Sequence, residues 1–83
     1  MALTLAANIG TMDGSLPLSG GTLPQTIEFV EIDSEVIHVR QAGSTLLVDR
    51  GACGSTQAAH GEGSSVVPLY PVLSATAGVV YVP

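Results

Sequence analysis

The chain has too few charges to cover a globular surface in the ordinary way. Charged residues make up 11% of its 83 residues, hydrophobic residues 46%, and only two cations, Arg40 and Arg50, stand against seven carboxylates. An average soluble domain carries about 25% charge. Nucleic-acid affinity comes chiefly from Lys and Arg on phosphates, and two arginines in a chain of net charge −5 cannot supply it. The same balance disfavours anionic membrane surfaces. No apolar run approaches the roughly 20 residues of a membrane-spanning helix, and no basic segment followed by an apolar one opens the chain. These absences lead us to expect a protein made in a cytoplasm, with neither nucleic acid nor membrane as a partner.

Covalent and metal staples are lacking too. Cys53 is the only cysteine, which excludes an intrachain disulfide, and no Cys, His and carboxylate cluster has zinc-ligand spacing. A domain this short buries only about 60–65% of the surface its unfolded chain exposes. Small folds without staples commonly gain stability from oligomerisation, and sparse charge with ample apolar surface points the same way. A homo-oligomer is expected, with no cofactor.

Helix signals are nearly missing. Ten glycines and five prolines are spread so evenly that few helix-length windows escape them. What remains are short runs of Val, Ile, Leu and Thr suited to pleated sheet. The sequence predicts one all-β domain, a small antiparallel β-sandwich or barrel-like fold of five to seven strands. Ala2 to Ala7 alternates, with Leu3 and Leu5 on one face, and reads as a first strand. Residues 8–26 show no clear periodicity, so 1–26 is expected to be an arm and long loop that orders against a neighbour. Residues 27–70 form a β meander: Ile27–Asp33 and Glu35–Gln41 around a turn at Asp33-Ser34, then Thr45–Arg50 after a turn over residues 41–44. In the second strand Ile37 and Val39 share one face, with Val36, His38 and Arg40 on the other. After a Gly-, Ala- and Ser-rich loop, Val66, Val67 and Leu69 lie in a strand that Pro68 marks as an edge or bulge and Pro71 ends. Residues 71–83 form an uncharged C-terminal strand, which closes this sheet or adds to a neighbour's. The docking residues are expected to be Leu3, Leu5, Val79, Val80, Tyr81 and Val82.

Two stretches carry a pattern: Ile32-Asp33-Ser34-Glu35, followed by Val36-Ile37-His38-Val39, and then Arg50 to Val66, which reads R-G-x-x-G-S-T-x-A-x-H-x-x-G-x-x-V. From Ile27 to Leu69, about half the chain, this resembles a module recurring in structural proteins of tailed phages. The resemblance implies a virion structural protein: a capsid cement (decoration) protein that bridges neighbouring capsid subunits, or alternatively a head–tail connector or tail or baseplate subunit. Its implied partners are the major capsid protein or other virion subunits, and its implied location is the virion, assembled in a host cytoplasm. A receptor- or glycan-binding module is a further alternative, disfavoured because Phe29, Tyr70 and Tyr81 are the only aromatic residues and tryptophan is absent.

The same residues make physical sense as a loop. Gly51, Gly54 and Gly63 suit positive-φ positions, and Ser55 and Thr56 can bond their own backbone. Arg50 is expected to pair with Glu35 or Asp49, and His60 to cap loop carbonyls. These seven residues therefore read as shaping the loop rather than binding a ligand. Catalysis is not expected: no Gly-x-Ser-x-Gly elbow is present, nothing marks a nucleophile oriented by a base, and so small a domain scarcely encloses a pocket. The acidic run Glu28, Glu31, Asp33 and Glu35 lacks EF-hand spacing and is split between faces, so a solvated or subunit-facing strip is expected, not a calcium site. Cys53 reads as a small packing residue.

Overall fold

The computed structural model describes residues 3–74 and 78–82, with side chains described as far as Pro71. Seven strands follow in chain order: β1 (Leu3–Leu5), β2 (Ser15–Ser19), β3 (Phe29–Ile32), β4 (Glu35–Gln41), β5 (Thr45–Ala52), β6 (Ser65–Ser74) and β7 (Gly78–Val82). Their spatial order is β1-β2-β5-β4-β3-β6-β7, and β1 also pairs with β6. All pairings are antiparallel, so six strands close into a barrel and β7 stands outside it. The chain is all-β and a single small domain.

Closure follows from alternation. Successive side chains in a strand point to opposite faces, and here every second residue is apolar: Val30 and Ile32 in β3, Ile37 and Val39 in β4, Leu46 and Val48 in β5. These fill the barrel with Leu5, Leu16 and Val66 from the neighbouring strands, and Leu23, Ile27 and Ala42 join the same core. The inward face of β4 is the one the sequence predicts. Two bulges in the β4–β5 ladder, between Val36 and His38 and between Val39 and Gln41, add the local twist that a small barrel requires.

The expected arm over residues 1–26 does not form. Leu5, Ile9, Leu16 and Leu23 are all buried in the core, and β2 pairs with both β1 and β5. The signal was weak because β2 is only five residues, Ser-Leu-Pro-Leu-Ser, with serines at both ends. Leu16 alone is fully buried there.

β6 also departs from expectation, since it continues through Pro71 to Ser74. Its first half is flanked by β3 and β1, and its second half pairs with β7, Tyr70↔Val82 to Ser74↔Gly78. Pro68 lies opposite Val30 in an interior strand rather than at the sheet's edge. Among the described residues β1 pairs with β6 only as far as Val66 and β7 only from Tyr70, while Pro68 itself pairs with β3. Because Phe29, the first residue of β3, lies opposite Leu69, the β6–β7 ribbon runs on past the end of β3.

Candidate functional site

The inward positions of β4 and β5 include one acid and one base, Glu35 and Arg50, at the end of the barrel where β4 begins. Both side chains are almost wholly buried, 1% and 3% exposed. The guanidinium donates twice to the carboxylate, Nε to Oε2 at 2.8 Å and Nη2 to Oε1 at 2.9 Å. The backbone N–H groups of Gly51 and Ala58 donate to the same two oxygens at 3.0 and 3.1 Å, and His60 Nε2 lies 2.8 Å from Oε1. Arg50 spends its other hydrogens on carbonyls: Gly10 at 2.7 Å, Asp13 at 3.1 Å and Ala58. His60 Nδ1 reaches the exposed Asp33 carboxylate at 2.8 Å.

Burial is the strongest single influence on Glu35 and pushes its carboxyl upward. The donors from Arg50, His60, Gly51 and Ala58 together outweigh it and hold the group ionised, at about 2 against the ordinary 4.5. Five donors saturate the two carboxylate oxygens, which leaves no lone pair free to take a proton from a substrate. No buried side-chain polar atom lacks a partner among the described residues.

Local structure delivers the loop to this cluster. Asp33 turns the β3–β4 hairpin at a φ of 56°, which an aspartate tolerates better than most side chains. Ala52 to Ser55 is a tight turn with positive φ at both Cys53 (55°) and Gly54 (79°), closed by Ser55 N–H donating to Ala52 O at 3.0 Å. Ser55 Oγ accepts from Val36 N–H at 2.9 Å and donates to Ala52 O at 2.7 Å, so it ties the loop to β4. Gly51 is needed twice over: its φ is 63°, and a Cβ there would come within 3.0 Å of Gln57 Cγ and 3.2 Å of Ser55 O.

The expected loop residues thus separate. Arg50, Gly51 and His60 meet at Glu35 and Ser55 ties the loop to Val36; Gly54 and Gly63 (φ 87°) supply positive-φ turns, and Thr56 lies exposed. Arg50 selects Glu35 over Asp49 because Asp49 faces outward, where it pairs with His38 at 3.2 Å and Arg40 at 3.3 Å. His60 does not cap carbonyls with its ring, which is held by two carboxylates; its backbone instead bridges Ile9. Cys53 is exposed at the turn rather than packed. The acidic run divides: Glu35 is buried, Glu31 half-buried, and Glu28 and Asp33 exposed. No group of three His, Cys, Asp or Glu side chains among the described residues is placed to hold a metal ion. Sequence reasoning missed the carbonyls of Gly10, Asp13 and Ala58, since backbone acceptors carry no residue signature.

Two hollows open on the surface. One, about 440 Å³, lies over Asp33, Glu35, Ser55 and His60 and is walled by the saturated cluster. The other, also about 440 Å³, lies beside β6 and is lined among the described residues by Leu3, Leu23, Val67, Pro68 and Tyr70. Of the expected docking residues, Leu5 is buried in its own chain's core and Leu3 is half-buried in this second hollow. Val79, Val80, Tyr81 and Val82 pair along β6 through their backbones, and their side chains lie outside the described set. The chain matches no family model, no curated protein and no solved structure.

Proposed function

We propose that this protein is a non-enzymatic structural subunit of a tailed-phage particle, acting as a capsid cement protein that bridges neighbouring shell subunits. The observation that carries the reading is the union of the two motif stretches in space. Asp33 and Glu35 of the first stretch bind Arg50, Gly51, Ala58 and His60 of the second, and Ser55 is tied to Val36. A motif whose parts interlock around one buried carboxylate is a folding unit, as a recurring structural module should be. Its side chains are consumed in holding the loop, which fits an assembly role better than a reaction.

The ribbon supports the same reading. No charged residue follows Glu62 in the sequence, and β7 carries neither the lysine nor the proline that usually protects a sheet edge. Two strands alone are marginally stable in water. Contacts made by the ribbon in an assembly would stabilise only the assembled state, which is the mass-action logic of a cement.

The test is the copy number in purified particles, measured by quantitative mass spectrometry against the major shell protein. Near parity with the shell subunit supports the cement role. A ring-sized handful moves the protein to the neck or tail, and absence from particles overturns the proposal.

A further inference from the structure

We propose that His60 is a proton-operated latch: carrying hydrogen on both ring nitrogens it ties the β3–β4 turn to the buried cluster, and release of the Nδ1 hydrogen lets the turn go. The inference is independent of any assembly.

Donor arithmetic at the ring carries it. Nδ1 lies 2.8 Å from Asp33 Oδ2, and Nε2 lies 2.8 Å from Glu35 Oε1. An ionised carboxylate only accepts, and a neutral imidazole has a single N–H. Two contacts of this length therefore require one hydrogen each. Glu35 already accepts from Arg50, Gly51 and Ala58 and is ionised, so the hydrogen facing it belongs to Nε2. The hydrogen between Nδ1 and Asp33 belongs to the ring as well, because an imidazole is a stronger base than a carboxylate. The bridge is an imidazolium between two carboxylates. With Arg50, the cluster then holds two cations and two anions.

The two ends of the bridge are not equivalent. The His60 and Glu35 side chains are each 1% exposed, whereas that of Asp33 is 69% exposed. Losing the Nε2 hydrogen would set a bare lone pair against a buried charge that cannot turn away. Losing the Nδ1 hydrogen sets it against a carboxylate that can rotate into water, and the same side gives the proton its path to solvent. Deprotonation therefore leaves the Nε2–H tautomer, and Asp33 turns outward as the pH rises.

The rest of the cluster does not need this hydrogen. Arg50 from β5 reaches His60 only through Glu35. The segment that His60 bridges by its backbone at Ile9 contributes Asp13, whose carboxylate accepts from Gly10 N–H, and Glu62 in the loop of His60 itself is exposed. Ser55 stays on Val36, and Gly51 and Ala58 stay on Glu35, so the loop remains pinned. What is freed is the turn, which Asp33 makes at a φ of 56°. The hollow of about 440 Å³ beside it, bordered by Asp33, Ser34 and Thr56, then opens at its rim.

Nuclear magnetic resonance of the purified full-length chain tests this on a His38→Gln background, where His60 is the only histidine. Long-range proton–nitrogen spectra are followed from about pH 5 to about pH 9, which brackets the ordinary histidine range. Both ring nitrogens should carry hydrogen at the low end, and Nε2 alone at the high end. The Asp33 carboxyl and Ser34 amide resonances should move in step with Nδ1, while the Gly51 and Ala58 amides move severalfold less. Asp33→Asn supplies the control, since its side-chain amide can accept from Nδ1–H or turn over and donate to bare Nδ1. In that variant the ring should still titrate, but the Ser34 movement should shrink severalfold. An Nδ1–H tautomer at the high end overturns the latch, and so does a ring whose protonation never changes across the range. Ser34 movement that persists undiminished in Asp33→Asn overturns it too.

Discussion

Glu35 and Arg50 face each other across the β4–β5 ladder inside the barrel, 2.8 and 2.9 Å apart through two parallel hydrogen bonds, beside a core of Leu, Ile, Val and Ala side chains. The pair is bidentate, almost wholly buried, and joined to three further donors. Taking two charges out of water is costly, and the cost is offset only when every lone pair and hydrogen is used. Here both oxygens and both terminal nitrogens are used. The cluster pins the loop between β5 and β6 to the end of the barrel.

Removing one member therefore leaves the other buried and unpaired. Glu35→Gln should lower unfolding free energy by roughly 3–5 kcal/mol, a large part of the total for a domain this size. Urea unfolding followed by circular dichroism measures it. The double variant Glu35→Gln/Arg50→Met should cost less than the sum of the two single changes, since it leaves no lone charge inside. A strictly additive result would show that the two side chains do not act as a pair.

The acid limb of stability should carry Glu35's signature. Its folded value of about 2 lies below the ordinary 4.5. Its contribution is therefore complete above about pH 4.5 and is lost as pH falls from there toward 2. The loss is on the order of 3 kcal/mol. Melting temperature against pH should fall in that window for the wild type, and more gently for Glu35→Gln.

Two glycines three residues apart should respond unequally. Gly51→Ala meets a φ of 63° and a crowded Cβ position, and should cost about 2–3 kcal/mol. Gly54→Ala has a φ of 79° but nothing within 4 Å, and should cost about 1 kcal/mol. Paired thermal melts decide between this and equal losses.

The outward trio of His38, Arg40 and Asp49 is the control for burial. Asp49→Asn removes both of its ion pairs at exposed sites. It should change stability by about 1 kcal/mol or less, and the difference should shrink further in high salt. A loss as large as that of Glu35→Gln would mean that exposure does not govern these pairs.

Residues 1–15 should be indispensable to the fold. Their deletion removes β1 together with Leu5 and Ile9 from the core and opens the barrel between β2 and β6. The truncated chain should be unfolded or aggregated by circular dichroism and gel filtration. A cooperative, folded truncation would restore the arm that residues 1–26 suggest in sequence.

What the sequence determined by itself was class and pattern. Even Gly and Pro spacing excluded helix, and alternation assigned Ile37 and Val39 inward with His38 and Arg40 outward. The Asp33-Ser34 turn marked the hairpin. These are local properties, fixed by the period of a pleated strand. The tertiary structure decided what alternation cannot reach. Leu16 joins the core only because β5 lies beside a five-residue strand with little pattern of its own. Arg50 takes Glu35 rather than Asp49 because barrel closure turns alternate residues of β5 inward, and β4 is the strand it faces there. Pro68 falls in an interior strand because β3 lies beside β6 there. Each of these depends on which strands become neighbours, and long-range pairing is specified by the packing of the whole chain rather than by any window along it.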